Sequence, residues 1–132
     1  MAVEVVRAWL ASAAHDLRAI RGCLHGPEPT PTAAAFHCQQ AAEKLVKAVL
    51  VSAGIHPPRS HDIGALLDLL GESHALYARL LPLARFTPYS WVFRYPAAAP
   101  TESAAEPPSA EEVARWLEEL RQGMDSVTVA VG

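Results

Sequence analysis

Eleven prolines and seven glycines cut this 132-residue chain into segments, and within the segments the apolar residues recur at helical spacing. Proline lacks the amide proton that a helix interior needs, so these residues mark where helices must end. Val3 to Arg21 carries Val6, Leu10, Ala13, Leu17 and Ile20 on one stripe. Gly22, Gly26 and the series Pro27, Pro29, Pro31 then stop it. Thr32 is placed to cap a second helix that reaches about Ala53, with Gly54 at its C-terminal end. Ile55 to Arg59 reads as an extended connector. Ser60 or Asp62 caps a short third helix with Ile63, Leu66, Leu67 and Leu70, which ends at Gly71. Ser73 opens a fourth through Leu76, Tyr77, Leu80 and Leu81, and Pro82 kinks or ends it.

The Pro- and Ala-rich run from Thr87 to Pro108 reads as a loop between the fourth and fifth helices. Ser109 and Glu112 have capping-box spacing, opening a last helix with Val113, Trp116, Leu117, Leu120, Met124 and Val127 on its apolar stripe. The tail Val127–Val131 reads as a frayed end. The expectation is one all-α domain over residues 1–132, an antiparallel bundle of about five helices.

Composition narrows the function. Half of the residues are apolar, yet no apolar run approaches the ~20 residues that span a bilayer. Glu4, Arg7 and Asp16 deny the N-terminus the uncharged core of a signal peptide, so a cytoplasmic protein without a membrane segment is expected. Cys23 and Cys38 form no CxxC pattern and read as small buried hydrophobes.

The net charge of −3 conceals an asymmetry, +2 over residues 1–96 and −5 over residues 97–132. A general nucleic-acid binder would show a basic excess, so RNA is not favoured as a partner. No Gly-rich phosphate loop, paired-carboxylate cleft or Gly-x-Ser-x-Gly turn is present, which argues against a kinase, hydrolase or nucleotidyltransferase. His37, His56 and His61 are not spaced to converge on a metal, and nothing calls for a cofactor. Trp9, Trp91 and Trp116 read as core anchors, with Trp91 in an aromatic run that could also meet a base.

The second helix holds the densest set of polar groups. Cys38, Ala42, Leu45, Val49 and Ala53 face one way, joined by Ala41 and Val46. Opposite lie His37, Gln40 and Lys44, flanked by Glu43 and Lys47 at the spacing of an exposed i,i+4 ion pair. A solvated helix face accounts for this pattern by itself. Ala41 and Ala48 beside the polar strip would let another helix approach closely, which predicts a symmetric homodimer.

Three stretches in order resemble one family. Gln39-Gln40-Ala-Ala-Glu43-Lys44-x-x-Lys47, then Arg59-Ser60-His61-Asp62, then Phe93-Arg94-Tyr95-Pro96 look like the HEPN (higher eukaryotes and prokaryotes nucleotide-binding) domain, of the stand-alone bacterial or archaeal type. His15-Asp16-Leu17-Arg18 is similar to that family's first helix. The resemblance implies a compact antiparallel helical domain, often dimeric. It also implies a separately encoded small nucleotidyltransferase as partner, in a toxin–antitoxin or regulatory pair. Gln40, Glu43, Lys44, Lys47, Arg59, His61, Arg94, Tyr95 and Pro96 match the recurrent positions. Of these, Gln40, Lys44, Lys47, Arg59, His61, Arg94 and Tyr95 are the expected ligand-binding residues.

Ribonucleases of this family place a histidine after an arginine late in the bundle, with four to six residues between them. Here no histidine follows His74, and the positions after Arg94 that would supply it are Ala99, Pro100 and Thr101. The spacing from Arg18 to His25 matches formally but sits at the end of the first helix. No catalytic residue is therefore assigned. Three readings follow. A nucleotide- or phosphate-binding module is favoured over a divergent metal-independent ribonuclease using His61 and over a purely structural interaction domain. His61 and Arg59 suit anion contact near a helix start, and His61 equally suits a structural bond there. The acidic residues Glu111, Glu112, Glu118 and Glu119 are expected on the solvated face of the last helix, away from the site.

Overall fold

A computed structural model describes residues 2–91 and 107–132. Phe93, Arg94, Tyr95 and Pro96, with most of the expected loop, lie outside the described residues. Helices α1 (Ala2–His25), α2 (Pro31–Ser52), α3 (Ile63–Leu70), α4 (Tyr77–Leu80) and α5 (Ala110–Val131) follow in order, with a 3₁₀ helix at Leu81–Trp91 after α4. Among the described residues there is no strand. The fold is all-α, as the periodicity predicts.

Helix α1 runs straight through Gly22 to His25 rather than stopping at the glycine. An exposed glycine inside a helix costs only about 1 kcal/mol, and burial of Leu24 holds the last turn in place. The cap of α2 is Thr30 rather than Thr32, and Pro31 occupies the first turn. Proline is favoured there, where its missing amide has no partner to lose. A backbone bond from Thr30 N–H to the Cys23 carbonyl, 2.9 Å, closes the turn between α1 and α2. Gly54 follows α2 at φ 80°, the left-handed position that ends a helix.

Asp62 caps α3 by accepting from the Ala65 amide, and Gly71 at φ 89° ends it. The fourth helix opens at Tyr77, not Ser73, and has a single α-turn. Pro82 does end its α-helical bonding, and the chain tightens into the 3₁₀ segment, which carries helical structure past Thr87 to Trp91. Ser109 and Glu112 form the expected capping box. Helix α5 then continues to Val131 where a frayed end was expected, because Val127 is fully buried and Val131 packs on the core.

Helix α2 is the axis of the molecule: α1, α3, the 3₁₀ segment and α5 all pack against it. Ala34, Ala41 and Ala48 are fully buried. Ala41 lies between His37 and Lys44, both bonded to Asp16 of α1, so the helix that these small residues admit is α1 of the same chain. Ala41 and Ala48 are therefore used in packing within the subunit and offer no free surface to a second one. On another side, Phe86 and Tyr89 of the 3₁₀ segment meet Trp116 of α5, with ring centroids 5.2 and 5.6 Å apart.

Arg85 and Glu119 join the same two elements through a two-pronged ion pair, and Glu112 is held in its cap. Replacing Glu111, Glu112, Glu118 and Glu119 together by glutamine should therefore lower the melting temperature by a few degrees. Ligand affinity should stay within a few-fold; a large loss in a binding titration would put the site on the α5 side.

Cys38 is fully buried, and its thiol is pushed up to about 12 by that burial, against the opposing pull of Arg85 and with a smaller push from Glu119. Only the thiolate attacks alkylating reagents. Iodoacetamide under native conditions should label the half-buried Cys23 and spare Cys38 until denaturant is added, as read by mass spectrometry. Equal labelling of both would mean that the core opens.

Candidate functional site

The polar residues of α2 do not face water as a single helix would suggest. Glu43 and Lys47 are buried, at 5% and 7% exposure, and Gln39 is fully enclosed. The exposed i,i+4 pair is corrected to a buried one: Lys47 Nζ lies 2.9 Å from Glu43 Oε2. Two groups from elsewhere in the chain complete the cluster. His61 Nδ1 lies 2.9 Å from the other Glu43 oxygen, Oε1, which also accepts from Gln39 Nε2 at 3.0 Å. Gln39 donates as well to the His61 carbonyl at 3.1 Å, fixing the connector that carries the imidazole. Bonding to an ionised Glu43 requires the proton on Nδ1. On the other flank, the Lys47 ammonium sits 5.4 Å from the centre of the Trp9 ring.

Burial alone would raise the Glu43 pKa. The bonds from Lys47, His61 and Gln39 outweigh it, and the carboxyl titrates below its ordinary value of 4.5. Glu43 is therefore a buried anion at neutral pH, shared between a lysine and an oriented histidine.

A second buried carboxylate is carried by α1 itself. Asp16 accepts from Lys44 Nζ at 2.6 Å and contacts His37 Nδ1 at 2.9 Å. Lys44 and His37 are only partly buried, at 20% and 31% side-chain exposure, so this pair borders solvent.

These contacts bound a groove-like strip of α2 on both sides. One flank of α2 is tied to α1 through Asp16 and Trp9, and the opposite flank to the connector through His61. Gln40, Lys44, Lys47 and Val51 follow one another at i, i+4, i+7 and i+11, a single stripe between those walls. Toward the C-terminal end of α2 the groove opens into a cavity of about 620 Å³, lined by Trp9, Lys47, Val51, Ile55, Pro57 and Arg59 among others. Among the described residues no carboxylate is in its lining.

Of the expected ligand residues, Lys47 and Arg59 both line the cavity, and Gln40, Lys44 and His61 make their contacts along the strip of α2. Gln40 donates to Gln39 Oε1 at 2.5 Å and so extends the buried network. Arg94 and Tyr95 lie outside the described residues. The sequence pattern does not reveal Asp16 and Trp9 as members: Asp16 stands in a stretch marked only by likeness, and Trp9 reads as core. It also gives Gln39 as part of a motif without a contact of its own. Among the described residues no group of three or more His, Cys, Asp or Glu is placed to hold a metal ion. No helix among them is long and apolar enough to cross a membrane.

The HEPN domain model matches residues 6–123. Among solved structures, an archaeal HEPN homologue, ST0689, superposes with a TM-score of 0.68 at 24% identity, covering 96% of this chain and 98% of that one. The TT1696 protein of Thermus thermophilus superposes with a TM-score of 0.65 at 27% identity, covering 93% and 95%. No curated protein matches the chain. The stretch matched by the domain model contains Trp9, Asp16, the whole of α2 and the connector to His61.

Proposed function

The chain belongs to the HEPN domain family, and from that premise we propose that it is a nucleotide- or phosphate-binding module. On this reading it acts in the cytoplasm as a homodimer with a separately encoded small nucleotidyltransferase, in a toxin–antitoxin-like or regulatory pair. The observation that supports the binding role is the stripe of Gln40, Lys44 and Lys47 set between α1 and a histidine-bearing connector. Both lysines already hold a carboxylate. A ligand phosphate would therefore compete with Asp16 for the partly exposed Lys44, while Lys47 stays committed to Glu43. Such a site exchanges one anion for another and needs little rearrangement of its walls.

Equilibrium dialysis with labelled nucleoside monophosphates tests the binding role. Lys44→Ala is expected to weaken binding by about 1–3 kcal/mol while the fold is kept, and Arg94→Lys by a similar amount, since lysine lacks the two-pronged guanidinium contact. Binding that is absent, or unchanged in both variants, would overturn the reading. Co-expression with a neighbouring nucleotidyltransferase, followed by size exclusion, tests the partner; separate elution would remove it. Sedimentation at micromolar concentration tests the dimer, and a monomer alone would remove that part.

A second reading draws on the Glu43–His61 pair. A buried carboxylate holding a half-exposed imidazole at 2.9 Å is an arrangement suited to proton transfer. It makes His61 the candidate base of a metal-independent ribonuclease. The binding reading expects no RNA cleavage by purified protein in chelator. Robust cleavage that His61→Ala abolishes would make the enzyme reading correct.

A further inference from the structure

The cavity at the end of the groove has a character that the phosphate stripe does not explain. One wall is the indole of Trp9, which is only half-buried, and Val5 beside it is 45% exposed. Val51, Ile55 and Pro57 extend the apolar lining. The described residues leave this surface uncovered, and α1 packs through its Val6, Leu10 and Ala13 stripe instead. The volume of about 620 Å³ falls within the range of sites that hold one small ligand.

The charges select the kind of ligand. Among the described residues, the cavity is lined by the cations Lys47 and Arg59 and by no carboxylate. Lys47 is neutralised by Glu43 at 2.9 Å, which leaves Arg59 as the charge not cancelled within the lining. Arg59 is exposed on the connector between α2 and α3. A cation is therefore disfavoured, and a purely apolar molecule would leave the guanidinium without use. What fits is a planar ring that carries an anion: the ring against Trp9, the anion on Arg59.

We propose that this cavity is the base-binding half of the site, in which a mononucleotide lays its heteroaromatic ring against Trp9 and directs its phosphate out between Arg59 and the Lys44 end of the groove. The inference rests on the nucleotide reading of the groove and makes Trp9 the residue that distinguishes a nucleotide from a bare phosphate. Aromatic stacking is tolerant of base identity because every base has a π-face. The cavity then selects for the presence of a base more than for its kind.

Calorimetric titration of the whole chain with AMP, UMP, adenosine and ribose 5-phosphate tests it. AMP and UMP should both bind more tightly than adenosine or ribose 5-phosphate. Trp9→Leu should weaken AMP roughly ten-fold or more and leave ribose 5-phosphate unchanged, whereas Trp9→Phe, which keeps a ring, should retain most of the affinity. Arg59→Ala, on an exposed connector where the fold is not at stake, should weaken AMP and ribose 5-phosphate about ten-fold and leave adenosine unchanged. AMP affinity unaltered in Trp9→Leu and Arg59→Ala but lowered in Lys44→Ala would overturn the cavity and leave the groove reading standing. AMP binding no tighter than ribose 5-phosphate would do the same. No binding of any of the four probes at millimolar concentration would overturn both.

Discussion

Replacing Glu43 by alanine is expected to cost about 3–5 kcal/mol of stability, because the substitution leaves the Lys47 ammonium buried without its counter-charge. Lys47 is 8% exposed at its side chain and has the Glu43 carboxylate 2.9 Å away. The same change removes the acceptor of His61 and of Gln39, the latter fully buried. Chemical denaturation should show the loss as a lower midpoint with an unchanged slope. The double variant Glu43→Leu, Lys47→Met should recover much of it, since a well-packed apolar pair replaces two charges that folding must strip of water. A single Glu43→Ala variant as stable as the parent would mean that the cluster is solvated after all.

The pH dependence follows from the same group. Folding lowers the Glu43 pKa below 4.5, so the native state holds that proton less tightly than the unfolded chain. The stabilisation is complete above about pH 4.5 and is lost as the pH falls through the lowered native value. Glu43→Gln, which cannot titrate, should show a shallower loss of stability on the acid limb than the parent.

Phe86→Ala is the second large effect, expected at about 3–5 kcal/mol and a fall in melting temperature on the order of 10 °C or more. Phe86 is fully buried in the 3₁₀ segment and meets Trp116 edge to face at 5.2 Å. It therefore ties the segment after α4 to α5, across the stretch that lies outside the described residues. Thermal unfolding followed by circular dichroism measures the effect. A loss under about 1 kcal/mol would show that the segment contributes little to the core.

The ends of the elements were legible where one residue type has one physical reason to be there. Asp62 and Gly71 bound α3, Ser109 and Glu112 open α5, and Gly54 ends α2, each by local chemistry that its neighbours alone determine. Pro31 misled because a proline reads equally as a breaker or as a first-turn residue, and the choice depends on where the preceding turn closes. Val127–Val131 misled because β-branched residues carry a weak helical preference that burial on the core overrides.

The site was half legible for a related reason. Periodicity within α2 assigns Glu43 and Lys47 to water unless something distant covers them. The covering groups are His61, eighteen positions along, and Trp9 near the start of α1. A single helix's pattern contains no information about either. The likeness to known motifs did mark Gln40, Glu43, Lys44, Lys47 and His61, but not that Glu43 is the hub and Asp16 its counterpart beneath Lys44. Ala41 and Ala48 show the same limit: their small size does signal a close helix, and only the packing identifies it as α1.

The polar stripe of α2, with its two walls, should act as a ligand site and not only as a buried structural network. Backbone amide shifts of the isotopically labelled protein during titration with AMP test it most directly. The expected result is saturable perturbation confined to residues around Trp9, Gln40, Lys44 and Lys47 and the connector from Ile55 to His61. Perturbation centred on α5 or on the 3₁₀ segment, or none at saturating nucleotide, would contradict it.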